Sequence, residues 1–244
     1  MKNPVVLIDA GNTRIKWGIH DGGRLKATGA IPTAEPEKLE GAIPARSGAR
    51  EAWVSNVAGV DAWLAISAAC ATRGLDAHRA ESQAEQLGVT NLYTDPRQLG
   101  VDRWLAAIAA HHWTPGNKLV VMAGTALTID ALDGQGTFHG GLIVPGPALM
   151  RRALEGGTAG LRLTEGEFAA LPKSTPDAIT SGAIQACVGA IERMAQVMWE
   201  AGAAPEKIVM SGGAARELAP HLPLDHELQD HLVLEGLALV ARAR

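Results

Sequence analysis

Apolar positions in the first twenty residues come in two phases. Val5 to Ile8 are apolar without interruption and stop at Asp9; after Gly11-Asn12-Thr13, the apolar Ile15, Trp17 and Ile19 alternate with Arg14, Lys16 and Gly18. The unbroken run reads as a strand buried on both faces, and the period of two as a strand with one polar face, so the stretch predicts a β-hairpin. After the "HDGGRL" turn, "LKATGAI" predicts a third short strand, "TAEPEKLEGA" a helical segment and "EAWVSNV" a strand. In "VDAWLAISAACATRG" apolar residues recur every three or four positions up to Gly74, the pattern of a helix with a glycine stop. "GVTNLYTDPRQLG" keeps neither period and reads as a loop entering a helix from about Asp102.

The order then repeats. "LVVMAGTALTIDALDGQGTFHGGLIVPG" gives strand, Gly-Thr turn, strand, "DGQG" turn and strand; "TPDAITSGAIQACVGAIERMAQVMWEAG" gives a long helix, "KIVMSGGAARELAPHL" a strand, glycine turn and helix start, and "LVLEGLALVARAR" a closing helix. Each half is a three-stranded meander followed by helix, strand and helix. The expected fold is therefore α/β, two ribonuclease-H-like domains (1–115 and 116–244) with a cleft between them.

Composition narrows the partners. The 244 residues are 47% hydrophobic and 20% charged with a net charge of -4, the make-up of a globular protein with length for a real core. The absence of a basic stripe argues against nucleic acid or an anionic membrane surface and favours a small-molecule partner. An acid arrives too early for a signal peptide, and no apolar run nears the roughly 20 residues of a membrane span, so a cytoplasmic protein is expected. Cys70 and Cys187 stand alone, without metal or disulfide spacing, and read as packing residues. His111, His112 and His139 likewise lack ligand spacing and read as structural or surface residues, and the six tryptophans as core or interface anchors.

Three glycine turns sit at the ends of buried strands: Gly11-Asn12-Thr13, Gly124-Thr125 and Gly212-Gly213. Glycine admits close approach to backbone N–H groups, while threonine hydroxyls and Lys16 add donors, the set that phosphate oxygens require. An acid such as Asp9 beside them would hold Mg²⁺ through water, because Mg²⁺ keeps much of its hydration shell. Asp102, at an N-cap-like position, reads either as a cap accepting backbone N–H bonds or as a base that the helix N-terminus keeps ionised. Tyr93, the one tyrosine of the chain, can give a hydrogen bond and an apolar wall.

With "DAGNTRIK" (9–16), "GVDRW" (100–104), "GTALTID" (124–130), "GGLIVPG" (140–146), "STPDAITSG" (174–182) and "SGG" (211–213) in this order, the chain resembles the type III pantothenate kinases of the acetate kinase, sugar kinase, Hsp70 and actin superfamily. The resemblance implies an actin-like ATPase fold and ATP-dependent phosphorylation of pantothenate to 4′-phosphopantothenate, the first step of coenzyme A synthesis, with Mg²⁺ as cofactor. It assigns Asp9, Gly11, Asn12, Thr13, Lys16 and Thr125 to ATP and its phosphates, Asp102 to proton acceptance, and Tyr93, Gly100, Val101, Asp102, Arg103 and Thr175 to pantothenate. Arg103 would pair with the substrate carboxylate; the alternative is a solvent-exposed arginine.

A homodimer is also implied, and the small residues of "DRWLAAIAAHHW" suit close approach of a partner helix, although a helix buried within the chain has the same pattern. The resemblance further implies a monovalent-cation site, K⁺ or NH₄⁺, built on an acid at the end of the second half's first strand. Here Met122 occupies that place, which puts the site in doubt. Two readings remain open beside pantothenate kinase: a kinase of the same fold acting on a sugar or acetate, and a non-catalytic nucleotide-binding regulator.

Overall fold

A computed structural model describes residues 4–44, 47–157 and 165–243. In chain order its elements begin with the meander β1 (Val5–Ala10), β2 (Arg14–His20) and β3 (Leu25–Pro32), then α1 (Lys38–Ala42), β4 (Glu51–Asn56), α2 (Val60–Thr72) and β5 (Asp76–Arg79). A small hairpin, β6 (Glu85–Gln86) and β7 (Val89–Asn91), and a 3-10 turn at Pro96–Gln98 lead to α3 (Val101–Trp113). A second meander, β8 (Lys118–Ala123), β9 (Ala126–Leu132) and β10 (Thr137–Pro145), is followed by α4 (Pro147–Gly157), α5 (Thr175–Glu200), β11 (Lys207–Ser211), α6 (Ala215–Leu218), β12 (His226–Leu228) and α7 (Leu232–Arg242).

The chain divides into two compact units, one of residues up to Trp113 together with those from His231 onward, the other Thr114–Asp230. In the first the strand order is β3-β2-β1-β4-β5, with β1–β2 and β2–β3 antiparallel and β1–β4 and β4–β5 parallel. The second repeats it strand for strand as β10-β9-β8-β11-β12, antiparallel and parallel at the same places. Such identity of order and direction is what duplication of a ribonuclease-H-like sheet produces. Arg73 caps α2 and Gly74, at φ 67°, ends it as its position in the sequence predicts.

Alternation decides which strand residues meet which helices. On one face of the first sheet Val6, Ile8, Ala10, Ile15 and Trp17 pack with Leu39 of α1 and with Ile66 and Cys70 of α2. The opposite face, which carries Leu7 and Asp9, is covered by α3 and α7. The second unit has an equivalent core, in which Leu119, Val121, Leu127 and Ile129 meet Ile184, Cys187, Val188 and Ile191 of α5.

The structure sharpens four readings. The closing helix α7 belongs with the first unit rather than the second, since its apolar stripe Leu232, Val233, Leu237 and Val240 packs on α3, β1 and β4. The small residues of α3 serve that same contact: Leu105 to Ala110 are all buried within the unit, so they do not mark a surface for a partner helix. Trp17, Trp53 and Trp104 are core residues, but Trp113 and Trp199 are exposed at 52% and 67%. Helix α4 and the strands β5, β6, β7 and β12 go beyond the pattern read from the sequence.

Candidate active site

Asp9 is the fifth residue of β1 and lies on the face of the sheet that α3 and α7 cover, 9% exposed. Its register partners are Lys16 across the antiparallel hairpin and Ser55 across the parallel pair to β4. Burial raises the carboxyl to about 6; the Lys16 ammonium opposes this, the charge of Asp102 adds to it, and the Ser55 hydroxyl, short of hydrogen-bond geometry, lowers it slightly. The group is thus a carboxylate whose surroundings support its charge poorly, and a cation placed beside it would restore that support. Among the described residues no three His, Cys, Asp or Glu side chains cluster as a metal cage. A single carboxylate suits an ion that keeps most of its ligands as water and phosphate oxygen, the habit of Mg²⁺.

The β1–β2 turn is set from both sides. Gly11 N–H donates to Arg14 O at 3.1 Å, while Thr33 past the end of β3 donates through Oγ1 to Gly11 O at 2.7 Å and through its N–H to Thr13 O at 3.1 Å. This leaves Asn12 and Thr13 exposed at the strand end and Lys16 half-buried beside Asp9. In the second unit Thr125 stands exposed in the corresponding β8–β9 turn, and Thr175 is the exposed first residue of α5, whose N-cap is Ser174.

The remaining predicted residues converge on the first turn of α3. Val101 opens the helix and is buried at 9% exposure, so Asp102 is its second residue rather than its cap. Its Oδ1 accepts the Arg103 N–H at 2.9 Å. The expectation of a lowered pKa is reversed. Burial, the largest influence, raises the Asp102 carboxyl, and the backbone N–H bonds and the Arg103 charge only partly offset it. Gly100 leaves room for this carboxylate, since a Cβ there would lie 2.7 Å from Asp102 Oδ1.

Arg103 is 4% exposed, not a solvated arginine. Its Nη1 donates to the Tyr93 hydroxyl at 3.0 Å, and its guanidinium carbon lies 5.8 Å from the centre of the Tyr93 ring. A carboxyl, a guanidinium and a phenol are thereby held together, with Asp102 close enough to Asp9 for the two charges to be felt. The structure brings Asp9, Lys16, Tyr93 and Gly100 to Arg103 into one unit; Thr125 and Thr175 belong to the other. Ser55 and Thr33, which shape the acid and its turn, were not legible in advance, because strand pairing is what brings them there.

Met122 is the counterpart of Asp9 by register as well as by sequence. Each is the fifth residue of a six-residue first strand, and each faces a serine across the parallel pair, Ser55 for Asp9 and Ser211 for Met122. Its antiparallel partner is Thr128, with Asp130 two residues further along β9 on the same side.

The doubled sheet with glycine turns at its strand ends defines an α/β protein of the actin-like ATPase fold. Solved structures of that fold match over nearly the whole chain: a Campylobacter jejuni protein described as a Baf family transcriptional activator at TM-score 0.63 and 19% identity, covering 98% of both chains, and an inorganic polyphosphate/ATP-glucomannokinase of Arthrobacter sp. strain KM at 0.51 and 18%, covering 100% of both. The chain belongs to the type III pantothenate kinase family, whose model matches residues 5–197. Type III pantothenate kinases of Dechloromonas aromatica and Aromatoleum aromaticum are 44% and 46% identical to it, over 97% and 98% of this chain and 98% of each of theirs.

Proposed function

We propose that this protein transfers the γ-phosphoryl group of ATP to the hydroxyl of pantothenate, giving 4′-phosphopantothenate at the start of coenzyme A synthesis. Beyond family membership, one observation carries the reading: the half-buried Asp102 carboxyl beside the Arg103–Tyr93 pair, within electrostatic reach of Asp9. That arrangement suits an acceptor with a hydroxyl to be deprotonated and a carboxylate to be held.

In this reading the N–H groups and hydroxyls of the 11–13 turn and Lys16 orient the phosphates, and the resemblance assigns Thr125 to ATP as well. Asp9 would hold Mg²⁺ through water, and the ion would supply charge neutralisation for the phosphate oxygens. Asp102 orients the pantothenate hydroxyl and takes its proton late, as a loose phosphoryl-transfer transition state requires little activation of the nucleophile. Arg103 pairs with the substrate carboxylate, its position fixed by Tyr93. Gly100 and Val101 line this end of the site, and the resemblance assigns Thr175 to pantothenate as well. A homodimer and a cytoplasmic location complete the proposal on the strength of the resemblance; no helix among the described residues is long and apolar enough to cross a membrane.

Asp102→Asn tests the assignment. The expected outcome is a folded variant that binds ATP as wild type does in calorimetry and turns over more slowly by about two orders of magnitude or more, the scale for a positioned base. Near-wild-type turnover would reject the role.

A further inference from the structure

Tyr93 lies in a loop that buries little apolar surface. Leu92 is 56% exposed, Thr94 is exposed, and the Arg97 side chain is 84% exposed. Packing of that kind does not hold a phenol in place, since segments with few buried contacts open at little cost. One amide ties this loop to the chain on either side of it. Asn91, at the end of β7, is 7% exposed. Its Nδ2 donates to the carbonyl oxygens of Gln83 at 3.3 Å and of Pro96 at 3.2 Å, and its Oδ1 accepts the Tyr93 N–H at 3.0 Å. Its own N–H donates to Ala84 O at 2.9 Å. The bonds gather three pieces of chain: the 83–84 segment, the backbone of Tyr93, and the 3-10 turn that leads to Gly100. Ser82 extends the seam by donating through Oγ to Leu99 O at 2.8 Å, immediately before Gly100.

We infer that Asn91 is a positioning residue for the acceptor half of the reaction: it sets the backbone of Tyr93, and through it the Tyr93–Arg103 pair that receives pantothenate. The inference rests on the proposed substrate. Among the described residues Asn91 bonds to Gln83, Ala84, Tyr93 N–H and Pro96 and not to Asp102, Arg103 or the Tyr93 side chain, so it acts through the loop alone. A preorganised site must hold its groups within about 0.5 Å and 10–20°. A tyrosine hydroxyl at the end of its ring magnifies any backbone tilt, so loss of the 91–93 turn moves the hydroxyl away from Arg103 Nη1 further than it moves the chain.

The chain's single tyrosine makes the test direct, because 3-fluorotyrosine labels Tyr93 alone. In wild type the one ¹⁹F resonance is expected to move on addition of pantothenate. In Asn91→Ala it is expected to start shifted or broadened, with KM for pantothenate raised about 10- to 100-fold, the cost of misplacement by about 1 Å, and KM for ATP within about twofold of wild type. Asn91→Asp is isosteric and keeps the acceptor for the Tyr93 N–H while losing both donors; it is expected to fall between the two and carries the test if the alanine variant does not fold. Ile66→Val, a core change in the same unit, controls for lost stability and is expected to leave the resonance and both KM values unmoved.

A folded Asn91 variant with wild-type ¹⁹F shift and pantothenate KM would overturn the inference. Failure of the substrate reading looks different: the wild-type resonance itself would not respond to pantothenate.

Discussion

Between the ordinary carboxylate range and about pH 6, the folded chain keeps a proton on Asp9 that the unfolded chain releases. Where the folded state binds more protons, stability falls as pH rises, and a rise of this size is worth about 3 kcal/mol once pH exceeds both values. Asp9 is therefore a stability burden carried at neutral pH, of the kind functional acids impose. Asp9→Asn is expected to abolish turnover, to unfold at a higher temperature than wild type at pH 7.5, and to lose about half of that gain at pH 5. Thermal unfolding at the two pH values checks this; a variant less stable than wild type at pH 7.5 would contradict it.

At Met122 the same position in the second sheet carries a thioether, a poor ligand for a hard cation that prefers oxygen. Activity is expected to vary little when K⁺ is titrated into an assay containing Mg²⁺ with Na⁺ or Tris as the only other cation, and K⁺ dependence is expected to appear in Met122→Asp. Strong saturable activation of wild type by K⁺ would mean that backbone carbonyls or Asp130 supply the site instead.

Among the elements, α3 and α7 show packing overruling propensity. Alanine in place of a mid-helix glycine ordinarily stabilises by about 1 kcal/mol. At Gly236 in α7, however, a Cβ would lie 2.1 Å from the Leu105 carbonyl oxygen of α3, a backbone atom that cannot turn aside. Gly236→Ala is thus expected to destabilise by roughly 2–3 kcal/mol, as overpacking of a tight interface does. Because α3 also carries Asp102 and Arg103, turnover should fall with it. Chemical denaturation measures the first effect, and an unchanged or raised midpoint would show that the two helices separate freely.

The same pair shows what the sequence could and could not convey. The alanines of α3 announce close approach but not the partner, since small residues serve a helix of the same chain and one of another equally well. Hairpins were legible because alternation of the Ile15-Trp17-Ile19 kind has one structural meaning. Strands such as β6 and β12, of two and three residues, are too short to show a period. Helix α4 begins at Pro147, one residue after a strand ending in Pro145, too abruptly for the pattern to separate the two.

For the whole molecule, duplication was legible because both halves follow one order of elements, and the sheets repeat one strand order. The allotment of α7 was not, because chain adjacency suggested the second half while its apolar stripe fits the first sheet. Asp9, Asp102 and Arg103 could be named from their motifs, whereas their electrostatics could not: the helix position argued for a lowered Asp102, and only burial, a tertiary property, reverses the sign. Asn91 gave no signal beyond its place in an Asn-Leu-Tyr loop, since the carbonyls it joins come from segments that only the fold assembles.

The central claim is that this chain is a kinase whose acceptor is pantothenate, and a coupled ADP-release assay across acceptors tests it most directly. With Mg²⁺ and ATP, ADP release is expected with pantothenate, accompanied by one 4′-phosphopantothenate per ADP, and to stay at background with acetate, glycerol and simple sugars. Release with a sugar or acetate in place of pantothenate, or no release with any of them, would contradict the account.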